Sequence, residues 1–241
     1  MSPRSPELCR FPRTPHLAWL AADAPRGDKV MSPAECQHCL SGDVVVEEKV
    51  DGANLGISLH DTGTLRVQNR GQYLEQPYAG QFSRLRGWLA MYQTGLLSIL
   101  TPDLTLFGEW CAARHSVGYD RLPDWFVAFD VYDRRAEGFW DTERRDAIVA
   151  NAGLHSVAIL TRGRFALQAL RSLLDSAPSA YRSGSVEGFV IRRESGGWLD
   201  ERAKLVRPDF VQSIGEHWRR RAIEWNLLSA SSNQRQTRAL P

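Results

Sequence analysis

Apolar residues fall in short blocks along the chain, and the blocks predict its elements in order. Val44 to Val50, Leu55 to Leu59 and Leu65 to Gln68 read as strands joined by Asp51-Gly52 and Asp61-Thr62-Gly63 turns. From Gln81 to Leu100, Phe82, Leu85, Leu89, Tyr92, Leu96 and Ile99 recur at helical spacing, and Pro102 ends the run. Leu104 to Trp110 and Trp125 to Tyr132 are strand-like, each apolar and then abruptly acidic at Glu109 and Asp130. Thr142 is the expected cap of a helix that stops at Asn151-Ala152-Gly153, before a strand over Val157 to Leu160 and a helix over Phe165 to Leu174. A Ser/Pro/Gly-rich loop, Ser176 to Ser185, precedes strands over Val186 to Arg192 and Ala203 to Arg207. Pro208 then opens an amphipathic helix through Phe210, Val211, Ile214, Trp218 and Trp225.

Ahead of these elements lies a proline- and arginine-rich lead-in, residues 1–29. Within it Arg13-Thr14-Pro15-His16-Leu17 reads as a turn that can also carry ligand contacts. Ser32-Pro33-Ala34-Glu35 has the form of a capping box. Residues 229–241 read as a disordered basic tail, and 1–228 as one domain. Strands and helices mix without regular alternation, so the expected class is α+β, with largely antiparallel β-sheets flanked by helices.

Composition changes this picture in two places. At 241 residues and 43% hydrophobic the chain can bury one sizeable core, and no apolar run is long enough to span a membrane or to form a secretory signal core, so a soluble cytoplasmic protein is expected. Net charge of +2 is mild, yet arginines cluster in pairs and in a triplet at Arg219-Arg220-Arg221, which suits phosphate recognition. Of 30 basic residues only Lys29, Lys49 and Lys204 are lysines. A guanidinium cannot serve as a nucleophile, whereas an amine can once its proton is lost, so a lysine kept at the end of a strand suggests chemistry that arginine cannot perform. Cys36-Gln37-His38-Cys39 lacks a second pair to complete a tetrahedral zinc site and reads as incidental thiols.

Five short segments place a charged residue at the boundary of an apolar strand: Glu48-Lys49-Val50-Asp51-Gly52, Asn69-Arg70-Gly71, Phe107-Gly108-Glu109-Trp110, Phe129-Asp130, and Glu187-Gly188-Phe189-Val190 followed by Ala203-Lys204-Leu205-Val206. Taken in order they resemble the motifs of the covalent nucleotidyltransferases, and most closely the RNA-repair branch of ATP-dependent RNA ligases. The resemblance runs from about Arg13 to Arg207 and implies an ATP-grasp-like nucleotidyltransferase domain. Too few residues follow Lys204 for the OB-fold that DNA ligases and capping enzymes place there, so no C-terminal OB-fold is expected.

The resemblance also assigns roles. Lys49 would be the nucleophile that takes AMP from ATP, its pKa lowered by Lys204, Arg70 and a divalent metal. Glu48 would lie at the adenine edge, Phe129 would stack on the base, and Arg70 and Glu109 would contact the ribose. Lys204 would neutralise the α-phosphate, with Arg202 standing where the family often has a lysine. Glu187 and Asp130 would hold Mg2+ or Mn2+. In the loop Cys111 to Pro123, the polar His115, Ser116 and Tyr119 would meet substrate, an ordinary connection being the other reading. The implied partner is RNA with a 5′-phosphate and a 3′-hydroxyl, with an end-healing kinase or phosphatase upstream. A minimal DNA ligase and an inactive end-binding protein are the rival readings.

Overall fold

The computed structural model describes residues 8–22, 27–213, 222–230 and 232. Its strands in chain order are β1 (Val44–Glu48), β2 (Ala53–Leu59), β3 (Leu65–Gln68), β4 (Leu104–Trp110), β5 (Phe126–Asp133), β6 (Gly138–Phe139), β7 (His155–Ser156), β8 (Ile159–Gly163), β9 (Gly188–Ser195) and β10 (Trp198–Val206). The helices are α1 (Pro33–Cys39), α2 (Leu85–Ile99), α3 (Thr142–Asn151), α4 (Leu167–Ser176) and α5 (Pro208–Ser213). None of the described helices is long and apolar enough to cross a membrane.

The strands form two sheets. One has the order β10-β9-β1-β8 and is antiparallel throughout. The other has the order β3-β2-β4-β5-β6, also antiparallel, with β7 pairing parallel to β5. The chain passes from the first sheet to the second through Lys49–Gly52 and returns through Val157 and Ala158. At the return, Val157 N donates to Ala128 O at 2.8 Å, and Ala158 O accepts from Glu48 N at 2.9 Å. The strand expected over Val157 to Leu160 is therefore two short strands on different sheets, broken where the chain crosses.

Each sheet has its own core. Val44, Val46, Phe189, Ile191, Ala203 and Leu205 pack against Leu170 and Leu174 of α4 and Cys36 and Cys39 of α1. Leu55, Ile57, Leu106 and Phe126 pack against Leu85, Trp88, Leu96 and Ile99 of α2 and Val149 of α3. Of the face that predicted α2, Leu85, Leu96 and Ile99 are buried and Leu89 and Tyr92 half-buried; Trp88 joins them, and Phe82 lies in a 3-10 turn ahead of the helix, which starts at Leu85 and not at Gln81.

Local chemistry explains most boundaries. Ser32 and Glu35 form the reciprocal capping box at α1. Asp141, not Thr142, caps α3, its side chain accepting from Arg144 N, while the Thr142 hydroxyl donates to Glu194 at 2.9 Å. Gly196 and Gly197, with φ of +55° and +87°, turn β9 into β10. The lead-in extends the first sheet: Lys204 N donates to Pro15 O, and Leu17 N to Lys204 O, so Arg13–Leu17 runs beside β10 instead of forming a turn.

The C-terminal expectation needs correction. α5 is described over Pro208–Ser213, Ile214 and Trp218 lie outside the described residues, and Trp225 is not helical but bridges to Ala113. Residues 224–229 instead run along the loop after β4. Of the expected tail, 231 and 233–241 also lie outside the described residues, and Ser229 N donates to Leu122 O at 2.8 Å. Cys36 and Cys39 are core residues, His38 is held by Arg193, and no metal-binding cluster of His, Cys, Asp or Glu occurs among the described residues.

Candidate active site

A cleft of about 380 Å³ lies between the sheets. The first sheet lines it with Glu47, Glu48 and Lys49, Val190 and Arg192 of β9, and Arg202 and Lys204 of β10; the second contributes Asn54 of β2, Glu109 of β4, and Val127, Phe129 and Asp130 of β5. Phe11, Arg13, Thr14 and Asp28 of the lead-in, Arg70 of the turn after β3, and Val50, Gly52 and Val157 at the two crossings complete the wall.

Lys49 sits where the chain leaves β1, a strand buried along its whole length. Its backbone N–H donates to Gly188 O at 2.9 Å, and Gly52 lets the chain cross against β4: a Cβ there would stand 2.6 Å from Trp110 O. The side chain is about a quarter exposed, and Nζ lies 2.7 Å from Glu187 Oε1. Burial pulls the pKa of Lys49 down, but the charges of Glu187, Asp51 and Glu109 outweigh it and hold the amine above its ordinary value. Lys204, Arg70 and a bound divalent metal were expected to lower this pKa; the side chains that face the amine raise it instead. Its nearest charged neighbours are acids, and Lys204 is occupied by Asp28 at 2.6 Å.

Glu187 is buried, and its second oxygen, Oε2, has no hydrogen-bond partner among the described residues. A buried carboxylate oxygen left unpaired is costly unless something else meets it, and a hard divalent cation is a natural partner. Glu109 accepts from Gly52 N at 3.0 Å. Enclosure in the cleft wall pushes its carboxyl up to about 8, Lys49 opposing and Asp51 and Glu187 reinforcing the rise.

Three of the expected ligand residues are engaged within the protein. Both oxygens of Glu48 are bonded, to Ser179 Oγ at 2.5 Å and Ala180 N at 2.7 Å, so this carboxylate anchors the loop before β9. Asp130 is buried between Arg192, at 2.8 Å, and Arg202. The Arg202 guanidinium also lies over the rings of Phe11 and Phe139, at 4.4 and 4.9 Å from their centroids. Arg192 and Arg145 further hold Glu47, at 3.8 and 2.6 Å. Asp130 and Arg202 thus belong to a charge network in the cleft floor.

Phe129 reaches the cleft through a bulge. Ala128 pairs with Gly108 and Asp130 with Phe107, which leaves Phe129 as the extra residue and turns two consecutive side chains into the wall. Its ring is half-buried and meets Phe11 edge-on at 5.1 Å. Arg70 is exposed, in a turn that Asn69 closes by accepting from Gly71 N and Gln72 N at 2.9 Å.

The loop after β4 faces the turn that follows Lys49. Ser116 N and Oγ donate to Asp51 Oδ2 at 2.9 and 2.5 Å, and Asp51 N donates to the buried Tyr119 hydroxyl at 2.7 Å. His115 pairs with Gln81 at 2.6 Å. Several lining residues escaped the sequence reading, among them Asn54, Asp28, Glu47, Arg192 and Val190. Asn54, whose buried Oδ1 has no partner among the described residues, shares a face with Gly52 and pairs in register with Glu109; two-residue spacing along β2 was the available signal. Asp28, the partner of Lys204, had none.

A family model described as RNA ligase matches residues 42–206, the stretch from the start of β1 to the end of β10. The chain belongs to the RNA ligase family. No curated protein matches it significantly. Among solved structures, Naegleria gruberi RNA ligase with PPi has a TM-score of 0.55 at 19% identity, over 73% of this chain and 52% of its own. A variant of that protein with ATP and Mn has a TM-score of 0.54 at 19% identity, over 73% and 53%. A further variant with ATP and Mn has a TM-score of 0.55 at 15% identity, over 89% and 64%. The likeness is one of fold, and the chain spans about half the length of the first of these structures. Family membership and fold agree with the antiparallel α+β nucleotidyltransferase architecture expected of an RNA ligase.

Proposed function

We propose that the protein is an ATP-dependent RNA ligase that works through a covalent lysyl-AMP on Lys49. The observation that carries this reading is the Lys49–Glu187 pair at the crossing between the sheets, with the unpaired Glu187 oxygen beside it. The Lys49 amine would attack the α-phosphorus of ATP, forming an N–P bond as the bond to pyrophosphate breaks and the amine gives up its proton. AMP would pass to the 5′-phosphate of an RNA end, and a 3′-hydroxyl would displace it to seal the strand. The Naegleria structures with ATP and Mn and with PPi agree with these reactants.

Glu187 would hold Mg2+ or Mn2+ through Oε2, where the ion supplies positive charge against the phosphates and favours the neutral amine. Phe129 and Val190 offer apolar walls for the base, and Glu109, Asn54 and Arg70 polar groups for the ribose. Lys204 serves the α-phosphate by exchanging Asp28 for it, two anions competing for one ammonium. Asp130 and Glu48 act as supports, because their carboxylate oxygens are already engaged, and Arg202, which gives Nη1 to Asp130 and lies over Phe11 and Phe139, supports the floor with them. Residues 1–228 form one adenylyltransferase domain in this reading. It acts in cytoplasmic RNA repair on ends that an end-healing kinase or phosphatase has prepared.

Incubation with α-labelled ATP or GTP and a divalent metal tests this. A labelled protein band from ATP that is lost in Lys49→Ala is expected, and no label with any nucleotide sinks the proposal. Nicked RNA and DNA duplexes tested side by side decide between RNA and DNA ligation.

A further inference from the structure

We propose that residues 224–229 are a clamp that sets the nucleophile's turn, with Asn226 as its positioning residue; the catalytic part of this inference rests on the ligase reading above. Asn226 lies far from the cleft's lining residues in sequence, on a segment that follows α5 and that no motif marks. It is nevertheless buried, and its side chain is fully used. Oδ1 accepts from Tyr119 N at 2.8 Å, and Nδ2 donates to Cys111 O at 2.8 Å and Ala113 O at 3.3 Å. One amide therefore bridges two points of the loop after β4, Cys111–Ala113 and Tyr119.

The backbone repeats the grip. Asn226 N donates to Ala112 O, Leu227 N to Tyr119 O, Leu122 N to Leu227 O, and Arg114 N to Glu224 O. The Arg84 guanidinium, just before α2, lies over the rings of Trp225 and Trp125 at 4.1 and 5.0 Å, and Arg114 pairs with Glu224 at 2.8 Å. These contacts fasten the segment at several independent points.

What the loop does with that support is specific. It presents Ser116 and Val117 to the Asp51 carboxylate and the Tyr119 hydroxyl to the Asp51 backbone, and Asp51 is two residues from Lys49. The route from the clamp to the nucleophile is thus Asn226 to Tyr119 to Asp51, each step a hydrogen bond of 2.8 Å or less. Loops that carry polar groups are mobile unless tied, and a misplacement of about 1 Å at a reacting centre can cost about a hundredfold in rate. Asn226 supplies the tie without touching a lining residue of the cleft.

The test compares wild type with Asn226→Ala, Tyr119→Phe and the double variant, by two readouts. The first is amide hydrogen exchange of the peptides covering 49–56 and 188–206, which needs no activity. Faster exchange at 49–56 in Asn226→Ala, with 188–206 unchanged, is expected; unchanged exchange at 49–56 overturns the clamp. The second is the single-turnover rate of Lys49 labelling by ATP, corrected for folded fraction. A fall of at least tenfold at saturating ATP is expected, with the ATP concentration at half-maximal rate within threefold of wild type and a combined loss in the double variant below the product of the singles. A purely structural Asn226 would lower Tm while the folded fraction labels at the wild-type rate, and that result also overturns the proposal. Tyr119→Phe keeps the buried ring and probes the same route if Asn226→Ala folds poorly. Wild type that fails to label at all refutes the ligase reading, and hydrogen exchange still decides the clamp.

Discussion

His16 provides a place to test how the lead-in is built into the site. Its side chain is 5% exposed, and its Nε2 stands 3.3 Å from Asp28 Oδ2. Burial, then the charge on Lys204, pushes its pKa down to about 4 from 6.5; Asp28 opposes the shift and Lys49 adds to it. The folded state therefore resists a proton that the unfolded chain accepts. Stability from this group is complete above pH 6.5, falls as pH drops, and loses nothing further below about 4. At about 1.36 kcal/mol per unit, the shift is worth about 3 kcal/mol in all, of which about 2 kcal/mol is lost between pH 7.5 and 5. Buried acids work in the opposite sense. Glu109, Glu48 and Glu187 have pKa values raised by burial, so their contribution is lost as pH rises, and the raw pH profile mixes both trends. The difference between wild type and His16→Asn removes the shared part. Urea unfolding of both proteins at pH 7.5 and 5 should show wild type losing about 2 kcal/mol relative to the variant. An unchanged difference between the two pH values refutes the reasoning.

Two further perturbations bear on the cleft's frame. Arg192→Met leaves Asp130 and Glu47 without a principal cation in the cleft floor, and urea unfolding at pH 7.5 should show a loss of about 3–5 kcal/mol. Gly188→Ala places a Cβ 2.5 Å from Leu205 O where β9 meets β10, so Tm should fall with a destabilisation of about 1–3 kcal/mol; an unchanged Tm would show that the hairpin can spread.

The parts of the molecule ruled by local pattern were legible. Leu65–Gln68 and Leu104–Trp110 are strands at the expected bounds, and the Ser32 capping box forms as its spacing requires. What depends on distant partners was not. Nothing near Val157 announces a crossing between sheets, because the break is set by Ala128 on one side and Glu48 on the other. The polar half of β10 hid a strand that continues to Trp198. Lys49 stood out by residue type and by its place at a strand end, and of its acidic neighbours only Asp51 is local; Glu109 and Glu187 reach it through the second sheet and β9. Asp130 and Arg202 carried the charges expected of ligand residues; that they satisfy one another is a property of packing which no motif encodes.

The two crossings carry a consequence for how the chain comes together. The second sheet is built from one uninterrupted stretch, β2 to β7, whereas β1 must find β8 and β9 across all of it, Val44 pairing with Arg193. Closing so long a loop is entropically slow, so the contiguous sheet can form while β1 still waits for its neighbours. Lys49 and Glu187 meet only when that last closure occurs. During synthesis the Lys49 amine therefore stays apart from the Glu187 carboxylate until nearly the entire fold is in place.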